Sequence, residues 1–177
     1  MLGLGNSLTA GSYIAPTLRQ TYRSDFTSDN DGWSGASIEG GSLTQTFNQT
    51  IGGSDGWMKN VYPANQTNTS GLLKNVLVGA TDQVGDFVTI KFKIYLDGNW
   101  DGSDNVSGFI INSIASNIIL DIPQDEVVQV DVTSDPSPDA GYSNSIQLLF
   151  NTAGDRPQSG AIFYIKDIEI NLWNYSV

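Results

Sequence analysis

The sequence predicts an all-β protein: an antiparallel β-sandwich of the jelly-roll type, preceded by an extended N-terminal arm. From Asp25 onward, short apolar runs alternate with clusters of turn residues, which is the layout of a sandwich of short strands. No stretch keeps apolar residues at helical spacing, so helices should be scarce. The length of 177 residues suits one domain with a sizeable core.

The clearest strand lies in the stretch DFVTIKFKIYLDG, which begins at Asp86. Apolar residues occupy alternate positions from Val88 to Leu96, and polar residues such as Lys91 and Lys93 lie between them. This period of two indicates a strand with one buried face and one exposed face.

Further strands are predicted in SGFIINSI, NIILDI, EVVQVDVTS, SIQLLFN and AIFYIKDIEINLW, and weaker ones in SLTQTFNQT and GLLKNVLVG. Turn-forming pairs such as Asp97-Gly98 and Asp135-Pro136 separate several of these runs. Eight or more antiparallel strands in one domain favour a jelly roll over other all-β architectures.

Charge and residue usage exclude several classes of function. The net charge of −11 argues against nucleic acid or an anionic membrane as a partner. The chain has no Cys and no His, so it lacks disulfides, thiolate metal sites and the commonest general base. We therefore expect no enzyme; a small glycosidase or lyase using carboxylates is a distant alternative.

The first residues, MLGLGNSLTAGSYIAP, differ from the remainder in charge. Residues 1–24 contain Arg19 and Arg23 but no acid, whereas all nineteen acids follow from Asp25 onward. An uncharged apolar segment with glycines gains stability by placing its leucines in a groove of another subunit. The sequence therefore predicts an anchoring arm over 1–23 and a sandwich domain over 24–177; a frayed N-terminus without function is the competing interpretation of the arm. The predicted docking residues are Leu2, Gly3, Leu4, Gly5, Leu8, Tyr13, Ile14, Arg19 and Arg23, the two arginines facing acids of the receiving surface.

The start LGLGNSL resembles the N-termini of tailed-bacteriophage virion proteins. That resemblance implies an auxiliary or decoration capsid protein, or a head-fibre protein, that docks by its arm and displays the sandwich. The implied partners are the major capsid protein or other virion subunits, with host-surface glycans and a homo-oligomer left open. The implied location is the virion, assembled in the host cytoplasm and released by lysis.

The two ends of the body, DFTSDNDGWS and AIFYIKDIEI, resemble the first and last strands of carbohydrate-binding-module jelly rolls. The resemblance implies that Phe26 and Trp33 lie in the core and that Asp25 and Asp167 share a structural calcium. Lys166 stands where that family often has a second acid, and its ammonium could satisfy Asp167 without a metal. The alternative function is accordingly non-catalytic glycan binding.

A second candidate calcium site lies in DGNWDGSDN, where oxygen ligands alternate at Asp97, Asn99 and Asp101. Gly108 stands where a calcium loop of the helix-flanked type needs a bidentate acid, so a solvated hairpin is the competing interpretation. No other cofactor is expected.

Glycan binding needs exposed aromatic rings beside amides and carboxylates. The candidate platform residues are Trp57, Trp100 and Tyr142, with Tyr62 and Trp173 as further loop-side aromatics. The competing interpretation for each ring is packing in the core or at its rim.

Overall fold

Two antiparallel sheets form a sandwich in the computed structural model, which describes residues 15–75, 83–98, 100–101, 106–112, 116–138 and 145–175. Its strands are β1 (Thr17–Ser24), β2 (Ser34–Ala36), β3 (Thr44–Ile51), β4 (Ser54–Val61), β5 (Ser70–Asn75), β6 (Asp86–Asp97), β7 (Trp100–Asp101), β8 (Val106–Asn112), β9 (Asn117–Pro123), β10 (Val128–Thr133), β11 (Ser145–Gly154), β12 (Arg156–Pro157) and β13 (Ile162–Asn174). The predicted all-β jelly-roll sandwich is confirmed, and no helix occurs among these ranges.

The six-stranded sheet has the order β10-β6-β13-β4-β3, and β1 also pairs with β13. One edge of β13 is shared between two strands. Its first residues, 162–165, pair with β4, whereas residues 168–174 pair with β1. The register shifts between Lys166 and Glu169, where Asp167 has a positive φ of 54°. This bulge separates the two neighbours of β13.

The five-stranded sheet has the order β2-β5-β11-β8-β9, and β7 and β12 form a separate two-stranded ladder. The edge strands of the five-stranded sheet, β2 and β9, each have a single neighbour. The edge of the other sheet near β2 is β3, because both line one groove along the connection between them. The edges β9 and β10 likewise line a shared groove at the opposite side of the sandwich.

Aromatic side chains join the two sheets in the core. Phe92 of β6 lies 5.9 Å from Phe109 of β8, measured between ring centroids, and Phe150 of β11 lies 5.2 Å from Phe163 of β13. These four rings are almost fully buried. Trp33 is fully buried too, as is Phe26, which confirms the core positions that the resemblance implies for that pair.

Strand β1 corrects the boundary of the predicted arm. Residues 17–23, assigned to the arm, instead form a strand that pairs with β13 from Asn174 to Ile168. The alternation in TLRQTYRS is irregular, because a register shift falls between Leu18 and Gln20. The sequence pattern therefore conceals this strand. The predicted docking residues Leu2 to Ile14 lie outside the described residues, and their anchoring role stays a prediction.

Both arginines of the predicted arm pair with acids of this chain, and their contact with a second subunit stays a prediction. Arg19 forms an ion pair with Asp86, which is fully buried and also accepts a hydrogen bond from Asn174 Nδ2 at 2.7 Å. Arg23 Nε donates to Glu169 Oε2 at 2.8 Å. These contacts fasten β1 to the sheet.

The described residues contain no helix long and apolar enough to cross a membrane.

Candidate functional site on the five-stranded sheet

The outer face of the six-stranded sheet carries a ladder of alternating charges. The register places Asp131, Lys91, Glu169 and Arg23 side by side on β10, β6, β13 and β1. Lys91 Nζ lies 2.9 Å from Asp131 Oδ2, and the pair between Arg23 and Glu169 extends the ladder. Each charge thus has an opposite neighbour across the strands.

The neighbouring groups of the ladder shift the pKa values of Lys91 and Glu169. A hydrogen bond and the charge of Asp131 raise the pKa of Lys91. The pKa of Glu169 is lowered, first by the hydrogen bond from Asn171 and then by the one from Arg23. Both shifts favour the charged forms that the ladder contains.

Other polar groups of this face are also paired with one another. Thr21 Oγ1 donates to Asn171 Oδ1 at 2.6 Å, and Trp173 Nε1 donates to Thr89 Oγ1 at 3.1 Å. A ligand on this face would have to displace such internal bonds, each worth about 1 kcal/mol net. The part of the six-stranded sheet formed by β10, β6, β13 and β1 around this ladder therefore offers little unused hydrogen-bonding capacity.

The outer face of the five-stranded sheet has a different chemistry, arranged in two neighbouring rows across the strands. The apolar row consists of Ile119, Ile110 and Leu149, which lie in register on β9, β8 and β11. The polar row consists of Asn117, Asn112, Gln147 and Ser34, in register from β9 to β2, and the apolar Leu73 of β5 lies between Gln147 and Ser34.

Some side chains of these rows are exposed to solvent, and some of their polar atoms have no hydrogen-bond partner. The Ile119 side chain is 66% exposed, the highest value for a large apolar side chain among the described residues. Asn112 Nδ2 donates to Gln147 Oε1 at 3.3 Å, which leaves the Gln147 amide nitrogen free to donate. Within the part of the chain that the structure describes, Asn117 and the nearby exposed Asp121 have no side-chain partner. This face can therefore form new hydrogen bonds without breaking old ones.

Gly71 on β5 continues the apolar row next to Leu149. A Cβ at this position would lie 2.1 Å from the Leu148 carbonyl oxygen and 2.9 Å from Leu149 Cα. Both of these atoms are backbone, so neither can move without shifting β11. The close approach of β5 to β11 therefore requires glycine.

An uncharged amide row beside an aliphatic row suits a ligand that has hydroxyl groups and C–H faces. Amides both donate and accept, so they match hydroxyl groups, and the aliphatic side chains can cover apolar C–H surface. The rows contain no ionisable side chain, and Asp121 stands alone beside them. The arrangement can bind, but it holds no acid–base pair for catalysis.

The predicted aromatic platform is wrong for Trp57, because this ring is only 1% exposed and lies beneath the Lys166 ammonium at 5.6 Å. Trp100 packs 4.7 Å from Phe150, and Tyr62 is buried with its hydroxyl donating to the Ser70 carbonyl. These rings extend the core, as strand-entry aromatics commonly do. Trp173 is half-buried on the six-stranded sheet. Tyr142 lies outside the described residues.

Sequence reasoning did not identify Asn112, Asn117, Gln147 or Ile119 as site residues. Aromatic side chains were its only guide to a sugar platform, and this face contains none. A usable signal exists in FIINSIASNIIL, where asparagines interrupt apolar strands on both sides of a hairpin. The paired register turns these separate asparagines into neighbours.

Asp25 and Asp167, the acids of the implied calcium site, do line one groove of about 400 Å³ together with Asp31 and Glu169. One carboxylate oxygen of Asp25 and one of Asp167 are engaged by other groups. Asp25 Oδ1 accepts from Thr27 N at 3.1 Å and from Thr27 Oγ1 at 2.9 Å. Asp167 pairs with Lys93 at 3.1 Å. No cluster of three acids close enough to hold a metal occurs among the described residues, and the shared calcium stays a prediction.

Lys166 supplies a cation at this place. The residue is 7% exposed, and its Nζ donates to Ser54 Oγ at 2.9 Å and to the Asp55 carbonyl at 2.7 Å. The same ammonium lies 3.7 Å from Asp167 Oδ2. It thereby joins the bulge of β13 to the start of β4.

The second candidate calcium loop stays a prediction. Asp97 ends β6, Asn99 lies outside the described residues, and the backbone of Asp101 pairs with Arg156 in the two-stranded ladder.

Comparison with known proteins is informative at the level of structure. No family model matches the chain, and no curated protein matches it in sequence. Among solved structures, the xylan-binding family 22 module of Paenibacillus barcinonensis Xyn10C aligns with a TM-score of 0.54 at 13% identity. That alignment covers 92% of this chain and 98% of the module.

Two structures from Clostridium thermocellum xylanase 10B are also similar. Its C-terminal family 22 module aligns with a TM-score of 0.53 at 9% identity over 88% of this chain and 94% of that one. A longer chain, in which the first family 22 module is joined to the catalytic module, aligns with a TM-score of 0.57 at 12% identity. That alignment covers 84% of the present chain but only 28% of the longer chain.

These likenesses show the fold. The chain shares the jelly-roll sandwich of carbohydrate-binding modules, which are non-catalytic parts of such enzymes. The matched structures give no support to the virion origin that the resemblance of the first residues implies. Identities of 9 to 13% leave the ligand to be argued from the residues of this chain.

Proposed function

We propose that the protein is a non-catalytic glycan-binding module and that the outer face of the five-stranded sheet binds the glycan. The decisive observation is the row of amides with unused hydrogen-bonding capacity, next to an aliphatic row that ends in the exposed Ile119. The shared fold of carbohydrate-binding modules supports this proposal. The absence of an acid–base pair in the rows supports a binding role over hydrolysis.

The chemistry of the face favours a neutral glycan. Lys74 pairs in register with the buried Ile146, so its position belongs to the inner side of the sheet. The described residues of the five strands contain no other Lys or Arg, and Arg156 belongs to the separate two-stranded ladder. Asp121 and the net charge of −11 would repel uronic or sulfated sugars. Without aromatic stacking the affinity for a short sugar should be low.

Binding of neutral hexasaccharides tests the proposal. Xylohexaose and mannohexaose would be titrated by calorimetry into the full chain and into the variant Asn112→Ala/Asn117→Ala. Each lost hydrogen bond should weaken binding by about three- to tenfold. Gln129→Ala is the control, because it removes an amide from β10 of the six-stranded sheet, where its nitrogen donates to the Phe92 and Val130 carbonyls, and it should leave binding unchanged.

Two results would contradict the proposal. One is the absence of binding by the unmodified chain to a panel of neutral glycans. The other is equal affinity of the double variant and the control, since the amide row would then have no part in binding.

A further inference from the structure

A second groove lies at the side of the sandwich where β2 approaches β3. It has a volume of about 520 Å³ and follows the connection from Ala36 to Thr44. Three hydroxyl groups, of Ser34, Ser37 and Ser42, line it.

The groove is polar but carries no charge. None of its nine lining residues is ionisable, although the chain contains 8 basic and 19 acidic residues. The three serine hydroxyls have no side-chain partner among the described residues, and Ile38 and Leu43 add apolar surface. Such a lining matches the hydroxyls and C–H faces of a neutral sugar.

The amides of the groove are held in place from behind. Asn30 Nδ2 donates to Gln45 Oε1 at 3.0 Å, and Gln45 Nε2 donates to Asn60 Oδ1 at 3.0 Å. Asn60 is fully buried. This chain of amides fixes the orientation of Asn30 and Gln45 before any ligand arrives, which lowers the entropic cost of binding.

The connection that bears Ser37 and Ser42 is also fixed. Gln66, 2% exposed, accepts from Glu39 N at 2.9 Å and donates to the Glu39 carbonyl at 3.2 Å. The Glu39 carboxylate accepts from Thr67 N at 3.0 Å and from Thr67 Oγ1 at 2.8 Å. Gly40 has a φ of 77°, and a Cβ there would lie 2.5 Å from that of Ala64. The wall of the groove is therefore rigid rather than adaptable.

Ser34 belongs to both surfaces. It ends the polar row of the five-stranded sheet opposite Leu73, and it also lines the groove. We propose that the groove is a second sugar-binding subsite, continuous with the sheet face through Ser34, so that the protein takes a neutral glycan chain lying across the strands. This inference rests on the proposed function. Five strands spaced about 4.8 Å apart make the sheet face roughly 20 Å wide before the groove begins.

Chain length provides the test. Xylose or mannose oligomers from the disaccharide to the hexasaccharide would be titrated into the full chain, with Ser34→Ala/Ser42→Ala and the groove-filling Ser42→Phe as variants. The unmodified chain should bind longer oligomers more tightly. Both variants should lose about three- to tenfold in affinity for the hexasaccharide and keep their affinity for the disaccharide. Ser28→Ala is the control, because Ser28 is an exposed serine that does not line the groove.

Amide chemical shifts locate the contacts independently. A hexasaccharide should shift the backbone amides of Ser34 and Ser42 as well as those of Asn112 and Asn117. Shifts confined to Asn112 and Asn117, with unchanged affinity of the serine variants, would overturn the subsite and leave the proposed function standing. Absence of binding by the unmodified chain would overturn both.

Discussion

The two outer faces of this sandwich are built from the same strand geometry but use their polar groups in opposite ways. On the six-stranded sheet, Asp131, Lys91, Glu169 and Arg23 satisfy one another across the strands. On the five-stranded sheet, amides lie beside an aliphatic row that ends in the exposed Ile119. A face whose polar groups are already paired contributes to stability, whereas a face with unpaired groups is available to a ligand.

The largest effect should come from Gly71, because its substitution damages the five-stranded sheet directly. Gly71→Ala would force a methyl group against the backbone of β11, and we expect a loss of about 3 kcal/mol or more in the free energy of unfolding. Urea denaturation measures this. Gly53→Ala is the control, since open space surrounds that position and only its positive φ opposes alanine. A loss below that of the control would show that β5 can move away from β11.

Lys166 gives the next largest effect and concerns the six-stranded sheet. Lys166→Met should cost about 2 kcal/mol, because the Asp55 carbonyl and Ser54 hydroxyl lose a charged donor in a nearly buried site. Lys93→Met removes an exposed partner of the same Asp167 and should cost less than about 1 kcal/mol.

Addition of calcium or EDTA should leave the melting temperature unchanged. A shift with calcium would show that the acids of the groove lined by Asp25 and Asp167 bind the ion.

The charge ladder tests the contrast between the faces. Arg23→Ala should lower the free energy of unfolding by less than about 1 kcal/mol, because Arg23 is 72% exposed in its side chain. Affinity for neutral hexasaccharides should not change. Weaker glycan binding by this variant would move the site to the six-stranded sheet and reverse the assignment of the two faces.

The smallest effect is a pH dependence of the affinity for long oligomers, which arises from Glu39 in the wall of the groove between β2 and β3. Hydrogen bonds from Thr67 lower the pKa of Glu39 from its ordinary value of 4.5. A carboxyl with a lowered folded-state pKa contributes stability above its unfolded value and loses it as the pH falls through the folded value. Between pH 7 and pH 5 the groove should therefore be unchanged, and below about pH 4 the extra affinity for long oligomers should decline. Glu39→Gln should abolish that decline, and a decline already at pH 6 would contradict it.

The sequence alone determined the fold class and most strands. Alternation in DFVTIKFKIYLDG predicted β6, and the runs near the C-terminus predicted β8 to β11 and β13, because one buried face imposes a period of two. It also placed Phe26 and Trp33 in the core through the resemblance of the chain ends. The irregular β1 and the glycine-containing β4 lacked a clear period and were not predicted as strands.

The tertiary structure decided which residues form a surface together. Trp57 and Trp100 were candidates from their positions in the chain, but packing buries the first ring and sets the second against Phe150. Conversely, Asn112, Asn117 and Gln147 became one row only through the pairing of β9, β8 and β11. A strand pattern specifies which side of its own strand each side chain occupies. Neighbours across strands depend on sheet order and register, which local periodicity does not encode.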